Sequence, residues 1–190
     1  MSGLGEYLSQ SAAVLEATIA CDLAAPVEAA VDAIVAALTA RRPLLVCGNG
    51  GSAADALHIA GELVGRFLAA RKAYNVIALP ANPAIVTAWG NDHGFDSVYA
   101  RQVEAHGAPG AVLLAISTSG DSPNIVRAAE QARAEAMTVV ALTGAGGGAL
   151  ARHADILIAV PATATPMIQQ VHVCLYHYLC QCIEARLAGA

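Results

Sequence analysis

At 190 residues the chain can bury one well-packed core and carry extra helices at its ends. A formal net charge of −5, with only ten scattered Lys and Arg residues, argues against nucleic acid as the main partner, because a phosphate backbone needs clustered cations. The composition is 56% hydrophobic but only 13% charged, which favours hiding surface in subunit contacts, and we expect a homo-oligomer.

No positive stretch followed by an apolar one opens the chain, so no signal peptide is expected. The best membrane-span candidate, Leu23 to Ala40, starts near Pro26 and is broken by Glu28 and Asp32. The expectation is a soluble, cytoplasmic protein with no membrane partner. Cys21, Cys47, Cys174, Cys180 and Cys182 lack metal-knuckle spacing and read as buried small hydrophobes.

In chain order, residues 4–22 carry helical periodicity, and Pro26 can open a second helix at its first turn. These residues, 1–40, read as packing and oligomerisation helices; 41–190 read as an α/β core, the whole forming one domain. The run Leu44–Cys47 is a buried strand that stops at Gly48-Asn49-Gly50-Gly51-Ser52, and a helix follows at once. Residues 75–79 form strand two, and Ala84 to Trp89 a short helix. Gly90-Asn91-Asp92-His93-Gly94 reads as a polar loop, with a helix from Phe95 to His106 after it. Strand three, Ala111 to Ile116, runs into Ser117-Thr118-Ser119-Gly120-Asp121-Ser122 and a helix to about Glu135. Strand four (Thr138 to Leu142), the glycine turn Gly144 to Gly148, strand five (Ile156 to Val160) and a helix from Pro166 to Leu187 complete the chain. Strands alternating with helices predict a three-layer α/β sandwich around a five-stranded parallel sheet. Its glycine and serine turns all follow strand ends, the edge where open parallel sheets bind ligands.

Two turns and two helices carry the chemistry. Ser117, Thr118, Ser119 and Ser122 place four hydroxyls in six residues before a helix start, where hydroxyls and N–H groups hold phosphate without lysine. Helix capping by Ser119 or Ser122 is the plainer use of such serines. The glycine turn is no nucleotide loop, since no Lys follows it and the G-x-G-x-x-G order is absent. Beside the serine turn it suggests a seat for a phosphorylated polyol, with Asn49, Gly50, Gly51 and Ser52 around the hydroxyls. His58 and Glu62 lie four apart on one helix face, as half a metal site, an acid/base pair or simple surface contact. Gln169 and His177 are eight apart, roughly 80° round the last helix, so both can face one pocket. His58, Glu62, Gln169 and His177 could then hold zinc, or Glu62 and His177 could exchange protons. His172, Tyr176 and Tyr178 read as core or interface residues, His106 and His153 as helix-end residues, and His93 as a candidate for the pocket rim.

The segments GNGGSAADALHIAGELVGRF, GND at Gly90–Asp92, STSGDSPN at Ser117–Asn124 and IQQVHVCLYH at Ile168–His177 resemble the phosphoheptose isomerases of the SIS (sugar isomerase) fold. The resemblance runs from about residue 40 to the C-terminus. It implies a flavodoxin-like SIS domain and a homotetramer with active sites between subunits. It also implies interconversion of sedoheptulose 7-phosphate and D-glycero-D-manno-heptose 7-phosphate through an enediol, in lipopolysaccharide heptose biosynthesis. Carried over residue by residue, Ser117, Thr118, Ser119 and Ser122 hold the phosphate. Asn49, Gly50, Gly51, Ser52, Asn91, Asp92 and Gln169 line the sugar. His58, Glu62, Gln169 and His177 bind one zinc ion per subunit, with Glu62 as base and His177 as acid. Gln170 and Asn82 depart from the family, which usually carries Glu and an acidic residue there; these departures bear on substrate choice. A non-catalytic relative that binds the bacterial replication initiator lacks the equivalents of Glu62 and His177, and their presence here favours an enzyme. An isomerase of another phosphosugar is the other alternative.

Overall fold

The computed structural model describes residues 3–188. Two helices, α1 (Leu4–Ala20) and α2 (Ala24–Thr39), precede the alternating region. That region contains β1 (Leu44–Cys47), α3 (Gly51–Val64), β2 (Val76–Ala78), α4 (Pro83–His93), α5 (Val98–His106), β3 (Val112–Ser117), α6 (Pro123–Ala134), β4 (Thr138–Thr143), β5 (Ile156–Ala159) and α7 (Thr165–Ala188). All strands are parallel, in the order β2-β1-β3-β4-β5. The chain therefore leaves β1 toward one edge and returns to β3 on β1's other side. The crevice between the ends of β1 and β3 is the switch point where such sheets accept ligands.

Successive strand residues point to opposite faces, and the core divides accordingly. Leu44, Val46, Val112, Leu114, Val140 and Leu142 pack with Ile34 of α2, Ile59 and Leu63 of α3, and Tyr176, Leu179 and Ile183 of α7. Leu45, Cys47, Leu113, Ala115, Val139 and Ala141 pack under Val98, Tyr99 and Val103 of α5 and Ile125, Ala128 and Ala132 of α6. Both faces are covered, which is why the strands read as unbroken apolar runs.

α1 lies along α7, where Val14 joins the cluster of Val160, Ile168 and Val171. Its remaining apolar residues face outward, with Leu4 75%, Leu8 57% and Ile19 82% exposed. α4 likewise buries none of its residues within the chain. Among the described residues no helix is long and apolar enough to cross a membrane.

The expected loop at Gly90–Gly94 is instead the last turn of α4, which runs through His93. Asn82 starts this helix: its side-chain Oδ1 accepts from the N–H groups of Ala84 and Ile85 at 3.1 and 3.2 Å, with Pro83 in the first position. His93 stacks on Trp89 at 4.0 Å, supporting the C-terminal turn. The cysteines also divide: Cys47 and Cys180 are buried as expected, Cys182 is half-buried, and Cys21, just after α1, and Cys174, on α7, are exposed.

One long-range clamp shapes the segment after α3. The buried Glu184 carboxylate on α7 accepts N–H groups from Phe67, Leu68 and Ala69 at 3.0, 2.7 and 2.8 Å, and from Arg71 Nε at 3.0 Å. Arg71 in turn donates to the carbonyls of Leu63 at 2.8 Å and Glu62 at 2.9 Å, ending α3 and fixing its last turn. Burial works against the Glu184 charge, but the backbone donors and Arg71 outweigh it and hold its pKa below the usual carboxylate range.

Candidate active site

A cavity of about 270 Å³ opens at the crevice between β1 and β3. The β1 turn supplies Asn49, Gly50, Gly51 and Ser52; the β3 turn supplies Ser117, Thr118 and Ser122; α7 supplies Thr165 and Gln169. Gly48 makes the first turn possible, since a Cβ there would collide with the Ser52 backbone. Tyr99 Oη donates to the Gly48 carbonyl at 2.7 Å and holds the turn from the opposite face.

The electrostatics of this cavity come from backbone and hydroxyls. α3 begins at Gly51, α6 follows Ser122 and α7 begins at Thr165, so three helix N-termini open on one space. Each brings partial positive charge and N–H donors that favour an anion. Ser52, Ser117, Thr118, Ser122 and Thr165 add hydroxyls, and neither Lys nor Arg is in the lining. The hydroxyls are already organised: Ser117 Oγ donates to Ser122 Oγ at 3.2 Å and accepts the Gly120 N–H at 3.1 Å, while Thr118 and Thr165 Oγ1 lie 3.3 Å apart.

Farther along α3 and α7, His58, Glu62 and His177 converge, their ligand atoms all within 4.8 Å of one another. His58 Nε2 is 3.0 Å from Glu62 Oε1, and the His58 and His177 rings meet edge-on with centroids 5.0 Å apart. Phe67, set in place by the Glu184 clamp, stacks against His177 at 5.9 Å. Two imidazoles and a carboxylate in reach of one point form a possible metal-binding group. Nitrogen and oxygen donors of this kind suit zinc.

Other residues singled out in the sequence sit elsewhere. Ser119 is exposed, and its Oγ accepts the Asp121 N–H at 3.1 Å, shaping the turn. Asn91 and Asp92 are exposed at the end of α4, bonded to each other at 2.8 Å, and are not in the cavity lining. His93 is exposed against Trp89, and Tyr178 is 53% exposed. His172 is fully buried, with Nε2 3.1 Å from the Thr143 carbonyl oxygen; burial pushes its pKa down to about 4 despite that bond. Asn82 serves as a helix cap and Gln170 donates to Tyr7 Oη at 3.1 Å, so neither lines the cavity.

Three site residues have no counterpart in the sequence reading. Thr165 carries a readable signal, a hydroxyl just before a proline at a helix start. Asn124 forms a reciprocal amide pair with Asn49, both bonds 2.8 Å, tying the β1 turn to α6 and using the amide that reads from sequence as a sugar contact. Asp55 sits one turn before His58, and Tyr176 Oη lies 3.5 Å from Asp55 Oδ1 and 3.0 Å from His58 Nδ1.

This parallel sheet, with its hydroxyl-lined switch-point cavity, defines an SIS domain, and the family model described as the SIS domain matches residues 6–144. Phosphoheptose isomerase of Rhodospirillum rubrum is 49% identical over 168 residues, covering 88% of this chain and 89% of its own. The solved phosphoheptose isomerase of Neisseria gonorrhoeae superposes with a TM-score of 0.90 at 37% identity, covering 96% of this chain and 97% of its own. That of Francisella tularensis superposes with a TM-score of 0.92 at 38% identity, covering 96% of each chain. The chain belongs to the phosphoheptose isomerase family of SIS-domain proteins, and with it to the aldose–ketose isomerases.

Proposed function

We propose that the chain interconverts sedoheptulose 7-phosphate and D-glycero-D-manno-heptose 7-phosphate, with the phosphate seated among the helix N-termini and the carbonyl end at His58, Glu62 and His177. One observation carries this reading: the convergence of those three side chains on α3 and α7, whose N-terminal ends line the hydroxyl-rich cavity. His58 lies seven positions after Gly51 on α3, roughly 10 Å by the helix rise, a span that suits the chain between a terminal phosphate and C1.

The isomerisation moves one proton between carbons. Glu62 takes a proton from C1 of the ketose as His177 protonates the carbonyl oxygen at C2, leaving an enediol. Return of a proton to C2, with loss of the O1 proton, yields the aldose. Ser117, Thr118, Ser122 and Thr165 orient the phosphate so that this end reaches Glu62; Ser52 and the glycine-turn backbone hold the intermediate hydroxyls, as Gln169 does from α7. His58, Glu62, Gln169 and His177 are the residues that would hold zinc, which supplies Lewis-acid polarisation of the substrate oxygens.

The proposed assembly is a homotetramer with sites completed across interfaces. The uncovered apolar residues of α1 and the unburied α4 support it, since contact with another subunit would bury both. Asn91 and Asp92, at the end of α4, then belong to a site finished by assembly. A charged phosphate ester does not cross membranes unaided, so the enzyme works in the cytoplasm where such sugars are made, supplying heptose for lipopolysaccharide.

The test is turnover of sedoheptulose 7-phosphate by protein stripped with a chelator and then reloaded with zinc. Activity that falls on stripping and returns with zinc supports the reading. No turnover of any heptulose phosphate in either state would favour a binding protein.

A further inference from the structure

The side of His58 away from Glu62 is occupied. Tyr176 Oη lies 3.0 Å from His58 Nδ1, and Asp55 Oδ1 lies 3.5 Å beyond it. Tyr176 is only 2% exposed, so its hydroxyl has no bulk water to satisfy it. Asp55 Oδ2 is buried and has no hydrogen-bond partner among the described residues, leaving the Tyr176 hydroxyl as the hydrogen-bond donor the geometry gives this carboxylate. A phenylalanine would fill the same core space; the hydroxyl's addition is polar and directional.

Direction decides what His58 can do. A neutral imidazole has one N–H and one lone pair. If Tyr176 donated to Nδ1, the proton would sit on Nε2, facing Glu62 Oε1 at 3.0 Å, and no lone pair would face the cluster. If Tyr176 instead donates to Asp55, its oxygen accepts from Nδ1–H, and the Nε2 lone pair points at Glu62 and His177. An ionised carboxylate only accepts, so Asp55 selects the second arrangement.

We propose that Asp55 and Tyr176 are positioning residues: acting in series, they fix the Nδ1–H tautomer of His58 and turn its Nε2 lone pair toward a metal ion. The inference rests on the proposed zinc site. Partners of this kind set the orientation and basicity of metal-bound histidines, and their loss costs roughly 10- to 100-fold in metal affinity.

The experiment measures zinc affinity by competition with a chromophoric chelator, without substrate, for wild type, Tyr176→Phe, Asp55→Asn and the double variant. Tyr176→Phe keeps the ring, and an unchanged far-ultraviolet circular dichroism spectrum verifies the fold. The expected result is zinc binding weakened about 10- to 100-fold in each single variant. The double variant should be little worse than the weaker single one, because both act through one path. In parallel, long-range ¹H–¹⁵N correlation spectra of the metal-free proteins report the tautomer: Nδ1–H on His58 in wild type, and a shift toward Nε2–H in Tyr176→Phe. Unchanged affinity and an unchanged tautomer in Tyr176→Phe would overturn the proposal. If wild type bound no zinc, the metal reading would fall, and the tautomer spectra alone would decide whether the relay exists.

Discussion

Gly51, the first residue of α3, and Gln169 on α7 are in direct contact. A Cβ built on Gly51 would stand 2.9 Å from Gln169 Cδ and Oε1 and closer still to Nε2. The glycine therefore lets α7 bring its amide into the cavity beside the α3 N-terminus. Gly51→Ala should displace Gln169 while leaving the sheet intact, and a displacement of about 1 Å can cost on the order of 10²-fold in turnover. Steady-state kinetics should show this loss with near wild-type thermal stability; full activity would mean that Gln169 has no part in the chemistry.

The hydroxyl cavity makes a graded prediction. Thr165→Val and Thr118→Val each remove a hydroxyl lining the proposed phosphate seat, and a hydrogen bond to a charged group is worth roughly 1.5–3 kcal/mol. Inhibition by inorganic phosphate should weaken about tenfold or more in each. Ser119→Ala should do less, because Ser119 lies outside the cavity and only braces the turn at Asp121. An equal or larger effect at Ser119 would move the phosphate seat.

The Arg71–Glu184 pair is a stability element next to the site. Both side chains are buried, 5% and 4% exposed, so Glu184→Gln leaves Arg71 charged and under-compensated and weakens the hold on residues 67–69. Breaking such a pair costs about 3–5 kcal/mol, which in a chain of this size lowers Tm by roughly 10 °C. Differential scanning calorimetry measures it, and a shift of only a degree or two would show the clamp to be dispensable.

His172 predicts the acid limb of stability. Its pKa is about 4 folded against the ordinary 6.5, because burial disfavours the cation. The unfolded chain therefore binds the extra proton first. This residue costs no stability above pH 6.5; its penalty grows as pH falls toward 4 and levels off below, reaching about 3 kcal/mol. His172→Gln should flatten the fall of Tm between pH 6.5 and 4 relative to wild type. Parallel curves would assign the acid sensitivity to other groups.

Much of the fold was legible because its signals are local. Leu44–Cys47 and Val112–Ser117 are buried on both faces, so each reads as an apolar run that stops at a polar turn. His58 and Glu62 share a helix face by spacing alone. The contacts that escaped are long-range: Asn49 with Asn124, Arg71 with Glu184, and Asp55 with Tyr176 join residues 75, 113 and 121 positions apart. No periodicity marks such partners, and each residue type is ordinary in its own segment. The stretch Gly90–Gly94 read as a loop for another reason. Gly90 looks like a helix breaker, but the Asn82 cap and the Trp89–His93 stack carry α4 through it.

In the proposed reaction Glu62 moves the proton in a site shared by α3 and α7. The most direct measurement is the initial rate of sedoheptulose 7-phosphate isomerisation by zinc-supplemented wild type and Glu62→Gln, with folding verified by circular dichroism. Turnover is expected in wild type and a loss of at least about 10²-fold in the folded variant, the lower end of what a general base contributes. Near wild-type turnover in Glu62→Gln would contradict it.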